Sequence, residues 1–381
     1  MKTESKTAII LGGIIITVIA GISVGLSSLE STSVEVEFIE NNELTQTSIQ
    51  EDGKTLQVVT IDKSRFRKAP NLVGIADYIN STPEQLSKDI EGKVVLYDIW
   101  TYSCINCIRT LPYVTAWNEK YADEGLLIIG VHSPEFEFEK DVKNVQMAVD
   151  KHGITYPVVL DNEKQTWKAF ENRYWPRKYI TDHEGYIRYD HIGEGAYQKT
   201  EEIIQQLLQE RSLSLGMQTT SAEPFVEIEE FQHTSFRTPE LYFGYKFAQG
   251  RNQLGSPEGF NPGKDVTYSI PKDLTQHYFY LDGTWQNLED SMKLISNSGS
   301  IVLPYHAKEV NIVTGSKGEL EILLDKKPIP ISYAGKDVVS GTVNVQVPDL
   351  YNIVTSKDPA SHLLRINISK PGFEIFTFTF G

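Results

Sequence analysis

Two residues of this chain are suited to redox chemistry, and they stand three positions apart. Cys104 and Cys107 are the two cysteines of its 381 residues, in the stretch Trp100-Thr101-Tyr102-Ser103-Cys104-Ile105-Asn106-Cys107. A C-x-x-C pair that follows a strand and opens a helix is the pattern of a dithiol–disulfide exchange site. The first turn of a helix leaves backbone N–H groups without partners and carries the positive end of the helix dipole. At Cys104 that setting favours thiolate, the form that attacks a disulfide. Cys107, one helical turn on, is placed to resolve the mixed disulfide. The competing uses are a structural disulfide or part of a metal site. Zinc takes four ligands, and no second Cys/His pair with matching spacing is present. Covalent haem attachment needs His after the second cysteine, where the chain has Ile108. No cofactor or metal is therefore expected beyond the Cys104–Cys107 couple itself.

The elements that must hold this pair follow from periodicity. Val94 to Ile99 reads as a buried strand ending in the cysteine loop. The helix after it is predicted to bury Ile108, Leu111, Val114, Trp117 and Tyr121, and Pro112 is expected to kink it. Ser81-Thr82-Pro83-Glu84 carries an N-cap followed by Pro, so a short helix is predicted there. Leu126 to Val131 is a second buried strand, Lys140 to Lys151 a helix, Tyr156 to Leu160 extended, and Thr166 to Asn172 a short helix. Lys178-Tyr179-Ile180 and Ile187-Arg188-Tyr189 read as a hairpin turning at Asp182-His183-Glu184-Gly185. Thr200 is predicted to cap a last helix through Leu208, with Glu201 and Glu202 in its first turn. This alternation predicts an α/β domain over 66–212.

On either side the pattern changes. Residues 8–26 carry no charge over a membrane-spanning length, with Lys2 and Lys6 before them and Glu30, Glu35, Glu37, Glu40 and Glu43 after. Residues 1–27 are thus read as an N-terminal anchor, the alternative being a signal peptide, with the N-terminus cytoplasmic and the bulk of the chain outside the cell membrane. Residues 28–65 read as an acidic polar tether, with a hairpin around Asp52-Gly53. Residues 213–224, rich in Ser, Thr and Gln, form a linker. Beyond it, 225–381 shows short strands broken by Gly, Pro and Asn, which predicts an all-β sandwich of jelly-roll type. Among them are Tyr278 to Leu281 before Asp282-Gly283, Ile301 to Leu303, Val310 to Val313, Leu320 to Leu324, and Val343 to Val347. Phe376 to Phe380 alternates as a half-buried strand does. A net charge of −15 argues against nucleic acid as a partner. Outside the cytoplasm, a chain with no spare cysteines must rest on packed cores.

The stretches DIWTYSCINCIRTLPYV, GVHSPEFEFE, YPVVLDNEKQTW, NRYWPRKYI and HIGEGAYQKTEE resemble the thioredoxin-like domain of the TlpA/DipZ group of exported thiol-disulfide oxidoreductases. RTPELYFGY, LDGTWQ, HAKEVNIV and FTFTFG resemble the carbohydrate-module-like β-domain at the C-terminus of the DipZ branch. The resemblance implies that Asp98, six residues before Cys104, is a buried carboxylate acting through water as proton acceptor for Cys107. It also implies that Trp175-Pro176 holds the cis-proline position, exposing the Trp175 backbone to an extended substrate. Thr110 stands where several TlpA-like reductases carry Glu. Relatives of the DipZ type often have a multi-span membrane domain ahead of the thioredoxin unit. With one span here, electrons are expected from, or passed to, a separate membrane protein.

The remaining candidates carry less. Glu135 reads as a surface acid, and His132, His152, His183 and His191 show no metal-ligand spacing. In the β-domain Tyr242, Phe243, Tyr245, Trp285 and Tyr305 have the chemistry to stack on sugars, but such aromatics are more often core. Three functions compete. The first is a membrane-anchored oxidoreductase acting on exported proteins. The second is a thiol peroxidase with Cys104 peroxidatic and Cys107 resolving. Thr101, three residues before Cys104, suits a peroxidase loop, but Tyr97 occupies the position where those loops carry proline. The third, a non-catalytic sugar-binding protein, leaves the cysteine pair unexplained.

Overall fold

The computed structural model describes residues 44–51, 54–217, 224–232, 237–251 and 253–381, so the apolar segment 8–26 lies outside the described residues. Two units are distinguished, Met1–Arg65 and Phe66–Gly381. Within the first, β1 (Leu44–Glu51) and β2 (Lys54–Ile61) pair antiparallel in unbroken register, and the turn expected at Asp52-Gly53 lies outside the described residues. Among the described residues no helix is long and apolar enough to cross a membrane.

The second unit begins with an α/β domain. Its strands are β3 (Asp77–Ile79), β4 (Val94–Trp100), β5 (Leu126–His132), β6 (Val158–Leu160), β7 (Arg177–Thr181) and β8 (Ile187–Ile192), in sheet order β3-β6-β5-β4-β7-β8. β4 runs parallel to β5 and antiparallel to β7. All seven residues of β4 are buried, as befits a central strand covered on both faces. Val94, Leu96 and Trp100 join one core with α2 (Ile105–Tyr121), α3 (Val142–Lys151) and α5 (Tyr197–Ser214). Val95, Tyr97 and Ile99 face a second core with α1 (Pro83–Asp89), and Trp167 of α4 (Gln165–Ala169) packs against it. α1 starts where its cap predicts, with the Gln85 N–H donating to Thr82 Oγ1.

Three local expectations need correction. Thr200 does not cap α5. The helix begins a turn earlier, after Ala196 at φ +48°, and the Thr200 hydroxyl donates to the Ala196 carbonyl. Glu201 is consequently buried, its carboxylate accepting from Trp117 Nε1 at 3.1 Å and Tyr121 OH at 2.6 Å, so it clamps α5 to α2. Ile108 is half-buried and packs against the C-terminal domain, while α2 runs through Pro112 to Tyr121 as one helix.

The C-terminal domain is all β, with β9 (Leu241–Tyr242), β10 (Asp265–Tyr268), β11 (Tyr280–Asn287), β12 (Met292–Leu294), β13 (Gly299–Thr314), β14 (Gly318–Leu324), β15 (Lys327–Pro328), β16 (Thr342–Val345), β17 (Asp349–Ile368) and β18 (Glu374–Phe380). All ten join one antiparallel hydrogen-bonded network around a single core that includes Phe243, Trp285 and Tyr305. The strands expected at Ile301 and Val310 are one long strand, β13, bent at register shifts near Ala307–Asn311. β11 continues through Asp282-Gly283 instead of turning there. Gly283 sits at φ +97°, and a Cβ on it would lie 2.8 Å from the Ser298 carbonyl oxygen, so the turn-like residue serves a close strand contact. β18 is buried on both faces from Ile375 to Phe380: Ile375, Phe378 and Phe380 join the β-domain core, and the α/β domain covers Phe376.

This domain packs directly beside the cysteine helix. Phe376 lies 4.9 Å from Phe136 and 4.7 Å from Phe138, ring centroid to centroid, within a cluster that includes Leu350, Ile105 and Ile108. Arg109 of α2 pairs with Glu309 at 2.8 Å, and Tyr102 OH donates to the Pro348 carbonyl at 3.3 Å.

Candidate active site

The cysteine loop sits where strand β4 hands over to helix α2. Cys104 is the N-cap residue of α2, in extended backbone geometry, and its sulfur accepts the Cys107 N–H at 3.4 Å. Its carbonyl accepts the Ile108 N–H at 2.9 Å, which closes the first turn. Cys104 is half-buried whereas Cys107 is 1% exposed, and both thiols are free. Burial pushes the Cys107 thiol well above its ordinary range, and its contact with Cys104 adds to this. One sulfur faces outward and its neighbour faces the core, the asymmetry that separates an attacking from a resolving thiol.

Below the pair lies Asp98, 1% exposed. Alternation along β4 puts it on the same face as Leu96 and Trp100, which contact the core that holds Cys107. Burial raises its carboxyl to about 6, with Lys178 pulling the other way. Directly across the strand pair, Lys178 of β7 is fully buried. On the other side, in parallel register, stands Gly130. A Cβ there would meet Trp100 Nε1 at 3.0 Å and Tyr156 Cε2 at 3.3 Å, so its absence lets both rings close over the site.

The loop is tied down by a residue that sequence reasoning missed. Glu139, fully buried, accepts hydrogen bonds from Ser103 Oγ at 2.6 Å, Ser103 N–H at 3.4 Å, Glu135 N–H and Phe136 N–H at 2.9 Å. The residue before Cys104 is thereby fastened to the segment that carries Phe136 and Phe138 against the β-domain. Burial raises the Glu139 carboxyl, and its hydrogen bonds oppose that. An acid inside an acidic run, E-F-E-F-E, offers no sequence signal for such a role. Thr101 is fully buried too. Its hydroxyl is 3.3 Å from His132 Nε2, and its carbonyl accepts the Cys104 N–H at 3.4 Å. His132 packs between Trp100 and Tyr102, and burial lowers it to about 3, so its imidazole is neutral. Thr110 is buried in α2 and donates to the Asn106 carbonyl.

The Trp175–Pro176 peptide bond is cis and leads into β7, the neighbour of β4. Trp175 Nε1 donates to the Ser133 carbonyl at 2.9 Å, and its ring packs on Trp167 at 4.3 Å. Glu135 is not the plain surface acid expected. It accepts from Tyr242 OH of the β-domain at 2.8 Å, and burial, with Glu240 and Glu139 nearby, raises it to about 8. Tyr242 in turn is buried at the contact between the domains, while Phe243, Trp285 and Tyr305 are core residues.

A C-x-x-C pair at a helix mouth, a buried acid in the strand below it and a cis-proline at the adjoining strand define a thioredoxin-like disulfide-exchange domain. Comparison with known proteins agrees. The Redoxin family matches residues 67–208, and the family described as "Thioredoxin like C-terminal domain" matches 238–381. Protein DipZ of Mycobacterium tuberculosis is 36% identical over 316 residues, which is 82% of this chain and 43% of that protein. The chain thus spans less than half the length of that relative. Thiol-disulfide oxidoreductase YkuV of Bacillus subtilis is 32% identical over 143 residues, 37% of this chain and 94% of YkuV. A solution structure of a thioredoxin-like protein in the oxidized form is 31% identical, covering 38% of this chain and 97% of its own, with a TM-score of 0.35. The chain belongs to the DipZ/TlpA-type thioredoxin-like proteins.

Proposed function

We propose that the protein is a membrane-anchored, extracytoplasmic oxidoreductase that exchanges disulfides with exported proteins through Cys104 and Cys107. In the reductive direction the Cys104 thiolate attacks a substrate disulfide, forming a Cys104–substrate disulfide and releasing the other substrate sulfur. Cys107 then gives its proton to the Asp98 carboxylate through water and attacks the Cys104 sulfur. The second substrate sulfur leaves, two electrons have passed to the substrate, and Cys104–Cys107 is oxidised. A separate membrane protein restores the dithiol. The reverse sequence oxidises substrate thiols.

The observation that carries this reading is the unequal burial of two sulfurs one helical turn apart, with the raised Asp98 carboxyl behind the buried one. An acid whose pKa is near working pH is suited to take and return a proton. Anchoring rests on residues 8–26 and the flanking charges, with Lys2 and Lys6 inside.

Insulin reduction by dithiothreitol tests the chemistry. The full chain should accelerate it, Cys104→Ser should abolish that acceleration, and peroxide consumption should stay at background. Rapid peroxide turnover without insulin reduction would instead support the peroxidase. For the topology, a periplasm-type reporter fused after residue 65 should be active and a cytoplasm-type reporter silent, and the opposite pattern overturns the placement.

A further inference from the structure

The second residue of β7 is a lysine where a strand inside a sheet ordinarily holds an apolar residue. Lys178 is 0% exposed, and its Nζ makes no hydrogen bond among the described residues. Lysine is almost never buried without a charged partner, because removing its ammonium from water is costly. Its opposite number in the antiparallel register is Asp98, whose Oδ1 is likewise buried without a hydrogen bond. Side chains directly opposed on one sheet face stand about 4.5–5.5 Å apart at Cβ.

We propose that Lys178 is a positioning residue of the redox site, whose ammonium is the counter-charge that keeps the Asp98 carboxylate ionised and ready to take the Cys107 proton. This rests on the reading that Cys107 resolves the mixed disulfide with Asp98 as acceptor.

The groups facing Lys178 support the assignment. Asp98 of β4, Cys107 of α2 and Glu194 of the turn before α5 all act on its charge, against the burial that lowers its pKa. Glu194 is also reached by Arg109, at 3.7 Å. His191 of β8 pairs with Lys178 in the antiparallel register, and burial lowers its pKa, which disfavours its charged form. The Tyr197 ring lies 6.0 Å away, and Tyr156, close to Asp98, has its phenol pushed well up by burial. Neither phenol supplies positive charge. The charge arithmetic then favours the step. Asp98 and Lys178 together are neutral while the carboxylate waits. When the proton moves from Cys107 to Asp98, the negative charge moves to the Cys107 sulfur, and the same ammonium balances it. Without Lys178 a lone carboxylate would be buried, which drives it to the protonated form that accepts nothing.

The test reads Cys107 attack alone. Full-chain protein carrying a thionitrobenzoate disulfide on Cys104 is followed for thionitrobenzoate release from pH 5 to 9, with Cys107→Ser as the blank. Lys178→Met should move the rate profile to higher pH by about 1–3 units, the usual effect of losing an adjacent opposite charge on a carboxyl group. Lys178→Arg should restore most of the wild-type profile, and in an Asp98→Asn background Lys178→Met should produce no further displacement. A folded Lys178→Met protein with the wild-type profile overturns the proposal. Lys178→Gln is judged by the same outcomes should the methionine variant fail to fold. If Asp98→Asn alone leaves the profile unchanged, the proton step of the function itself fails, a result distinct from failure of the lysine.

Discussion

Replacing Asp98 by Asn should make the protein more stable and less active, and the size of the gain should depend on pH. The Asp98 carboxyl is raised from 3.8 to about 6 by burial, so it binds its proton more tightly folded than unfolded. A group shifted in that direction contributes stability below 3.8 and loses it as pH rises through about 6. The displacement of roughly two pH units corresponds to about 3 kcal/mol at 1.36 kcal/mol per unit. Wild-type protein should therefore lose up to about 3 kcal/mol relative to Asp98→Asn between pH 4 and pH 8. Part of the gain is offset because Lys178 is left without its carboxylate. Urea unfolding of the reduced protein, followed by tryptophan fluorescence, is a suitable assay. Trp100, Trp117, Trp167 and Trp175 lie in the α/β domain, against Trp285 in the β-domain, so the signal reports mainly the unit of interest. Insulin reduction at pH 7 should fall by about 100-fold, the low end of a general acid–base contribution. A stability difference that stays flat from pH 4 to 8, or that narrows as pH rises, would refute the reasoning.

Three further outcomes follow from the geometry. Iodoacetamide should alkylate half-buried Cys104 at least about tenfold faster than Cys107 in the reduced protein, and equal labelling in peptide mass maps would contradict the assigned roles. Glu139→Ala strands three buried donors and one partly buried one, each buried donor costing about 1–3 kcal/mol when unsatisfied, so urea unfolding should show a loss of roughly 3 kcal/mol or more. A loss below 1 kcal/mol would mean the loop does not depend on that carboxylate. Phe376→Ala removes the ring packed on Phe136 and Phe138 and should cost about 3–5 kcal/mol. Limited proteolysis should then open the segment around residues 133–140, and an unchanged digestion pattern would show that the domain contact does not rest on this ring.

How far the chain could be read depended on whether a role was local. β4, the cysteine loop and α2 were legible because a continuous apolar run, a C-x-x-C pair and three- and four-residue spacing occur within one stretch. Asp98 and the cis Trp175–Pro176 bond became visible through family resemblance, since neither burial nor isomer is encoded by adjacent residues. Glu139, Glu201 and Lys178 stayed hidden for a shared reason. Each is a charged side chain buried by partners that lie 36, 84 and 80 residues away, at Ser103, Trp117 and Asp98. Periodicity counts such residues as exposed. Ile108 was expected to be buried with the rest of its helix, and it is half-buried because α2 has a second apolar face, toward the β-domain. In that domain the short-strand reading failed where bulges near Ala307–Asn311 let one strand bend without ending, and where Gly283 mimicked a turn.

The central claim is that Cys104 attacks and Cys107 releases. Incubating Cys107→Ser and Cys104→Ser proteins separately with a disulfide-bonded polypeptide, followed by acid quench and mass spectrometry, tests it most directly. A stable mixed disulfide on Cys104 in the first protein, and none in the second, is the predicted result. Accumulation on Cys107 in the second protein, with nothing trapped in the first, would contradict it.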